Sequence, residues 1–569
     1  MARVIYVCAR DRTRTDAVAR DVTAIAGRLM PENIDGDRIL SFQADGIAHC
    51  LVSPGTHTVA DGASVALGQL IDGRDWKIPG NPPPDGNYAI IRGSADSVEL
   101  VADALASRTI WYLLTDDVLI ASTSQRAIAA FTGSHEANPI ASSWMLATGS
   151  LGPGYSWDKR LRCVPGSGTV RLDRHSWRLT EGVRQSEVGP AAPDDVAREQ
   201  RVLQALRHVV EAIGTNDPRV ALSLSGGWDS RAILCLLPST RDFRAVTWGT
   251  ADSQRQAMTD ADIAARLAAH FGLQHQFYST DPANCALDLV LQRFVHNSEA
   301  DSDHISGYTD GFDLWRNLNL VGITGLLRGD HVFGRHEVAT AADCRAEAGM
   351  QLWSDFDGFP PLECLDLPEQ EVPPHLVQRS DETLAGWRDR LYREFRVPCL
   401  LAGLTEAKSG FVDVLNPMLS GSVVALAARL PDHLRTEKEL IRRIVRSIGP
   451  AIPFAAMPAI RPLNDVVRTP AMREILLDTL HSQDATAVLP NASLDFVRTG
   501  LQATAAIGRK PLRGRLRALA RAVSPSLASR LRPRVRRLQS PTQERLAFRA
   551  YLVVAAQRLF ANDAAFLGR

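Results

Sequence analysis

Three absences narrow the possibilities before any motif is considered. Paired cysteines are lacking: the eight, at positions 8, 50, 163, 235, 285, 344, 364 and 399, contain no Cys-x-x-Cys. That scatter argues against a disulfide framework or a cysteine zinc site and fits a reducing compartment. Net charge is also lacking, with 64 Lys+Arg against 64 Asp+Glu, so no overall field draws the chain to nucleic acid or to a membrane. No apolar run approaches the length of a membrane span. The short run Val4–Val7 is soon broken by Arg10, Asp11 and Arg12, which argues against a signal peptide. A cytoplasmic protein is expected. Its 569 residues, 45% of them apolar, suffice for sizeable cores in more than one domain.

The most informative stretch is residues 219–238. Val220, Leu222 and Leu224 alternate with small residues and run into Gly226-Gly227, which reads as a buried strand entering a turn. Arg231 to Leu237 are good helix formers and Pro238 is a stop. Ser225-Gly226-Gly227-Trp228-Asp229-Ser230 therefore sits where a strand hands over to a helix N-terminus. Unpaired amides and the helix dipole favour a phosphate there. Gly226 and Gly227 let the backbone close round the anion, Ser225 and Ser230 add hydroxyl donors, and Asp229 can hold magnesium against phosphate oxygens.

On either side of this loop the pattern changes. Residues 1 to about 180 are strand-rich, with short apolar runs at Val4–Val7, Ala89–Arg92, Val98–Val101, Ile110–Leu114, Val118–Ala121 and Thr169–Leu172. A polar, Pro-containing linker at 183–199 leads into a helix that Asp194 or Asp195 can cap. Beyond the loop, strand and helix alternate: Arg244–Trp248, then a helix from Asp262 to Phe271, then Gln276–Tyr278, then a strand at Leu320–Thr324. This βαβ alternation predicts a mainly parallel sheet with ligands at its strand C-termini. From Asp381 to about Ser447 the pattern is helical, and 545–560 makes an apolar closing helix. Residues 509–537 hold eleven Lys/Arg and no acid, which reads as a solvated face or a contact with an acidic peptide.

Ser-Gly-Gly-x-Asp-Ser resembles the pyrophosphate loop of ATP-pyrophosphatase domains, and the chain as a whole resembles the asparagine synthetase and β-lactam synthetase superfamily. Arg231, after the second serine, is closer to the lasso peptide cyclases of that superfamily. Asp85-Gly86-Asn87-Tyr88-Ala89, Asp103, Arg108 to Tyr112, Ala121-Ser122-Thr123 and Val164-Pro165-Gly166 resemble the superfamily's N-terminal glutaminase-like domain. The resemblance implies an α/β protein in two parts. Residues 1–183 would form an Ntn-type αββα domain. Residues 195–569 would form a pyrophosphate-loop ligase domain with a mainly parallel sheet and a helical C-terminal part. A working glutaminase of the family has Cys after the initiator Met. Here residue 2 is Ala and Cys8 lies inside a strand, so no ammonia is expected from glutamine.

The resemblance also implies the remaining site. Gly329-Asp330 matches the second signature, in which an acid at a Gly-rich strand end binds magnesium; Asp229 and Asp330 would be the metal carboxylates and Ser225, Gly226, Gly227, Ser230 and Gly329 the ATP-binding residues. The family's glutamates beside this acid are replaced by Leu327, Arg328 and His331, which leaves His331, His336 and Glu337 as candidate bases; no third ligand completes a zinc site with His331 and His336. Ile452-Pro453 and Arg461 fall where the superfamily has Leu-Pro and a lysine that stabilises developing charge. Pro417-Met418-Leu419-Ser420 replaces the asparagine synthetase Pro-Phe-Leu-Asp. The implied activity is ATP-dependent amide ligation with ATP and Mg2+: adenylation of an Asp or Glu side chain of a precursor peptide, then attack by the peptide's own N-terminal amine. A leader peptidase and a leader-recognition protein are the implied partners. A small-molecule ligase forming a β-lactam or asparagine is the rival reading, and a tRNA-modifying enzyme a more distant one.

Overall fold

The computed structural model describes residues 3–34, 38–73, 75–184, 194–213, 217–238, 243–282, 285–506 and 540–568. The basic segment 509–537 and most of the linker lie outside them. Strand β1 (Arg3–Ala9) is buried on both faces because it lies in a sheet between two partners. Val4, Tyr6 and Cys8 pack against a second sheet, while Ile5, Val7 and Ala9 pack under the helices Thr15–Arg28 and Gln125–Thr132. Its sheet is antiparallel, joining β2 (Ile39–Ala44), β3 (Ile47–Val52), β8 (Trp111–Leu114), β9 (Val118–Ser122) and β10 (Arg162–Cys163) in the order β10-β8-β9-β1-β3-β2. The facing sheet runs β12-β11-β7-β6-β5-β4 and is also antiparallel. Its strands are β4 (Thr58–Asp61), β5 (Ser64–Ile71), β6 (Asp85–Gly93), β7 (Ser97–Ala102), β11 (Gly168–Asp173) and β12 (Arg178–Val183). The expected αββα sandwich is only partly drawn. The outer face of this second sheet carries Trp76, Tyr88, Ile90 and Val101 as a small cluster of their own, and the third helix of this half, Pro139–Thr148, packs on the C-terminal helix instead.

The second half is built on a five-stranded parallel sheet: β13 (Val220–Ser223), β14 (Arg244–Gly249), β15 (Gln274–Ser279), β16 (Gly325–Leu327) and β17 (Asp413–Leu415), in the order β15-β14-β13-β16-β17. Both faces are covered, as a parallel sheet requires. Val220, Leu222, Ala245, Leu327 and Leu415 face the helices Asp195–Glu211, Trp228–Leu236, Asp260–Phe271 and Glu439–Ile448. Ala221, Val246 and Leu326 face Leu287–Ser298, Asp313–Leu320 and the helix Gln543–Ala564. Asp194 caps the first of these helices through the Ala197 amide. Two expectations shift. The strand placed at Leu320–Thr324 lies later, at Gly325–Leu327, because Leu320 still belongs to the preceding helix and Leu320 and Val321 are exposed. The helical reading of 381–447 missed β17, a three-residue strand that exists only by pairing with β16.

Buried charge ties the halves together. Arg108 Nε meets Glu406 Oε1 at 2.9 Å, and Asp85 Oδ1 accepts the Gly421 amide at 2.6 Å. The closing helix is the main staple. Its Asp563 accepts from Arg126 at 2.6 Å and from Arg28 at 2.6 Å, and its Arg549 donates to Asp303 at 2.7 Å and to the Leu146 carbonyl at 2.9 Å. Burial acts to raise the Asp303 carboxyl, but Arg549, Arg545 and His304 overcome it and hold the group well below the usual carboxylate range. A carboxylate depressed in the folded state stabilises the fold above its unfolded value, and that contribution is lost as the pH falls through the folded one. Asp303→Asn should therefore destabilise the protein by about 3 kcal/mol near pH 7, because it leaves Arg549 buried without its counter-charge. Urea unfolding curves should show the deficit shrink on strong acidification and shrink at pH 7 in the double variant Asp303→Asn/Arg549→Met.

Candidate functional site

In the order β15-β14-β13-β16-β17 the chain leaves β13 for one side of the sheet and returns to the other with β16. The loops after β13 and β16 diverge there, and in open α/β sheets that crevice is where ligands bind. The first loop is Ser225–Ser230. Its pairing to the sheet ends where the Leu224 amide reaches the Val246 carbonyl at 2.9 Å. The Ser225 and Ser230 hydroxyls then bridge the turn at 2.9 Å, and the Ser225 amide donates to Ser230 Oγ at 3.1 Å. Gly227 is the N-cap of the helix Trp228–Leu236, and no side-chain hydrogen bond caps that helix. The helix N-terminus faces the crevice beside two acids, Asp229 in its own first turn and Asp260, whose Oδ1 accepts the Gly226 amide at 3.1 Å.

The second loop closes on the first. A Cβ at Gly329 would stand 2.9 Å from the Asp229 Cβ and 2.9 Å from the Ser230 amide nitrogen, so only glycine permits this approach. Asp330 follows directly, half-buried, with Arg328 Nε 3.1 Å from its Oδ2. Asn416, at the end of β17, donates to the same oxygen at 3.2 Å with its amide in the orientation that satisfies both its ends. The fold therefore gathers Ser225, Gly226, Gly227, Asp229, Ser230, Gly329 and Asp330 at one edge.

Asp229 has a partner that the sequence did not reveal. Lys438 Nζ donates to its Oδ2 at 2.6 Å, while Oδ1 is buried and lacks a hydrogen-bond partner. Burial acts to raise the Asp229 carboxyl, but neighbouring His331, Lys438 and Arg335 bring it below its ordinary value. Burial pushes the His331 imidazole down to about 3, so the ring is neutral at pH 7 and the cations facing Asp229 there are Lys438, in direct contact, and Arg335. His331 stacks on Tyr392 with ring centroids 5.5 Å apart. The other two base candidates lie outside this contact: His336 bonds Glu437 at 3.1 Å and Glu337 is exposed.

Lys438 reaches Asp229 from an unusual backbone. Glu437 and Lys438 have φ of 56° and 58°, the left-handed region, in a turn held by the Glu437 amide on Arg335 O at 2.6 Å and the Lys438 amide on Gly334 O at 3.0 Å. Arg461, expected to supply the fixed cation, is placed elsewhere. Its Nη2 lies 3.4 Å from Asp281 Oδ1, beyond the end of β15, and its side chain is 39% exposed. The strap that carries it, residues 452–461, passes from Gly226 at Ala455 to Thr250, just beyond the end of β14, at Ala459. The charged run Thr436-Glu437-Lys438-Glu439 carries no spacing that would mark Lys438 in the sequence.

Residues 201–342 match the family model described as asparagine synthase. That match supports an ATP-dependent ligase of the asparagine synthetase superfamily, and it spans both loops of the crevice. No curated protein matches the chain. Among solved structures, the glutamine-dependent NAD+ synthetase of Acinetobacter baumannii, in complex with adenosine diphosphate, is 19% identical; the match covers 31% of this chain and 31% of that one, with a TM-score of 0.18. So small an overlap carries no argument about this protein.

The geometry separates two cations that the sequence could not. Lys438→Ala and Asp229→Asn should each slow ATP-dependent pyrophosphate release at least about a hundredfold, the usual loss when one preorganised charge is removed from a reacting site. Arg461→Ala should cost less than about fivefold, since it breaks a half-exposed ion pair. Pyrophosphate assays on the three variants, with far-UV circular dichroism as a check on folding, decide between the two residues.

Proposed function

We propose that the protein is a lasso peptide cyclase, an enzyme that uses ATP to close a macrolactam ring in a precursor peptide. The observation that carries the ligase part is the closing of Gly329 on Asp229, which makes one anion-binding edge out of the two loops. ATP would lie with its phosphates at the N-terminus of the helix Trp228–Leu236. The peptide's Asp or Glu carboxylate would bond to the α-phosphorus as pyrophosphate leaves. The N-terminal amine would then form the amide bond as AMP departs. Lys438 and the open helix N-terminus would meet the charge that develops on the departing pyrophosphate.

Magnesium fits this edge. Asp229 keeps one buried carboxylate oxygen without a protein partner, Asp330 lies on the adjoining loop, and no cluster of three or more metal-ligating side chains occurs among the described residues. Two carboxylates and no protein cage suit magnesium, which is held largely through phosphates and water. When bound with ATP it would neutralise phosphate charge.

The source of the amine supports the intramolecular reading. Cys8 points between the two N-terminal sheets, and burial pushes its thiol up to about 11. It is neither exposed nor activated as a glutaminase nucleophile must be. Asp103 and Arg108, which resemble glutaminase-domain residues, are engaged in holding the fold. This reading takes the amine from the substrate itself, and well-oriented intramolecular attack reaches effective molarities of roughly 10⁵ M or more. The leader peptidase and leader-recognition protein are the partners this reading requires. Among the described residues no helix is long and apolar enough to cross a membrane.

A leaderless peptide with a free N-terminal amine and an Asp or Glu a few residues on should lose the mass of one water, with AMP formed in equal amount. Mass spectrometry and AMP quantification test this together, and an N-acetylated peptide should yield no ring. Ammonium-dependent AMP formation on free aspartate would favour the small-molecule ligase instead, and a requirement for transfer RNA would sink both. Cys8→Ala should cyclise at the wild-type rate, and no glutamate should appear from glutamine.

A further inference from the structure

Arg231 plays no part in the chemistry so far, yet it is 1% exposed. It belongs to the first turn of the phosphate helix and reaches back to the strap. Its Nη1 donates to the Ile452 carbonyl at 2.6 Å and its Nη2 to the Pro453 carbonyl at 2.7 Å. The guanidinium carbon stands 3.8 Å from the centre of the Phe454 ring. Trp228, three residues before Arg231, stacks on Phe454 with centroids 3.5 Å apart and planes 22° from parallel. Two groups so close to one ring cannot share a face, so Phe454 is clasped between them. Among the described residues Arg231 has no carboxylate partner. A guanidinium buried against carbonyls and a ring is costly unless the arrangement serves something else.

What it holds is the stretch that crosses the crevice. Downstream of Phe454 the Ala455 amide donates to Gly226 O at 3.1 Å, the Ala456 amide to Met258 O at 2.9 Å, and the Thr250 amide to Ala459 O at 2.9 Å. The approach is tight: a Cβ on Gly226 would stand 2.5 Å from the Ala455 Cβ, and one on Gly249 2.5 Å from Ala459 O. The strap thus lies directly on the phosphate loop and on the end of β14. Its other contacts are backbone bonds, a Gln256 amide on the Met457 sulfur and the half-exposed Arg461–Asp281 pair at the far end, whereas Arg231 supplies two buried charge-assisted bonds and a ring contact beside the phosphate loop.

We propose that Arg231, with Phe454, is the latch that keeps residues 452–461 closed on the phosphate loop and so sets the affinity for the nucleotide without touching it; this rests on the ATP-site reading above. Arg231 is a positioning residue in this role. Apparent affinity falls by the fraction of molecules in the closed state, so a strap closed one-tenth of the time binds about tenfold more weakly. The buried positive charge adds to the effect, because it lies in the first turn of the helix whose N-terminus faces the phosphates.

The test uses the full chain and a non-hydrolysable ATP analogue with magnesium, titrated by calorimetry, together with hydrogen exchange of the strap amides. Arg231→Gln should weaken analogue binding about tenfold and raise the KM for ATP in step, with kcat at saturating ATP changed less than about threefold. Arg231→Lys, which keeps the charge but not the two-pronged grip, should fall between. Phe454→Leu, which leaves the arginine in place, should move binding in the same direction and keeps the test open if Arg231→Gln folds poorly. In each variant the amides of Ala455, Ala456 and Met457 should exchange faster while those of β13 and β14 are unchanged, a local response that general destabilisation does not give. Variants that bind like wild type, or whose strap exchanges like wild type, overturn the latch alone. Wild-type protein that binds no analogue overturns the ATP-site reading and this inference with it.

Discussion

The approach of Gly329 to Asp229 is the constraint on which the site depends. Two loops that leave neighbouring strands in opposite directions could easily stay apart. Here the absence of one side chain lets the backbone after β16 rest on the first turn of the helix after β13. Asp330 is carried in with Gly329, and Asn416 follows because β17 pairs with β16 in register, Leu327 opposite Leu415. Neither the phosphate loop nor the second acid would make a nucleotide site alone. The first offers a dipole and hydroxyls, the second a carboxylate, and the glycine contact puts them at one edge. Any side chain at position 329 would have to push the two loops apart before it could be accommodated.

The N-terminal half is organised by a different kind of interaction. Three of the charged residues singled out in its sequence, Asp85, Asp103 and Arg108, serve as structural ties. The Asp103 carboxylate accepts the Tyr88 amide at 2.9 Å, the Leu105 amide at 2.8 Å and the Ser107 amide at 3.1 Å. Burial still raises its pKa, because desolvation outweighs those bonds. Asp85 and Arg108 point across to the ligase half instead of into a cleft of their own. Removing one partner from such a buried network leaves the other uncompensated, which keeps the network in place even where it adds little net stability.

Legibility in the sequence followed the range of the interactions. The strand–turn–helix at Ser225–Ser230 was legible because two glycines, two hydroxyls and a helix start lie within six consecutive residues, directly after an alternating strand. The parallel sheet was legible from the alternation of periods, β1, β6, β7, β9 and β11 each contain the run expected of them, and β8 contains all of its run but Ile110. The strand before Gly329 was misplaced by a few residues, since Leu320, Val321 and Ile323 suit the end of a helix as well as a strand. β17 was invisible, because three residues show no period and only β16 makes them a strand. Lys438 lies 209 residues from the carboxylate it serves. A lysine among charged neighbours looks like surface until the fold turns it inward, whereas Arg461 looked right by position in a family pattern and is not at Asp229.

The left-handed pair at Glu437 and Lys438 shows why that residue could not have been found by periodicity. A non-glycine residue in this region costs of the order of 1 kcal/mol, so two in a row persist only when their surroundings fix them. Here they are fixed from both sides. Their amides are held by the Arg335 and Gly334 carbonyls, the Glu437 carboxylate is bonded by His336 and by Arg442 at 3.2 Å, and fully buried Arg388 bonds the His336 carbonyl at 2.6 Å. Gly334 leaves no room to relax, since a Cβ there would stand 2.9 Å from Asp389 Oδ1. The loop that follows Asp330 and the turn that carries Lys438 are therefore one braced unit. Were residues 436–439 a regular helical start, the lysine would follow the helix surface with Arg442 and Arg446, both of which lie 5.5 Å from the Trp228 ring. The strained turn breaks that line and brings the ammonium to Asp229. The strain at these two residues thus determines which cation faces the phosphate loop.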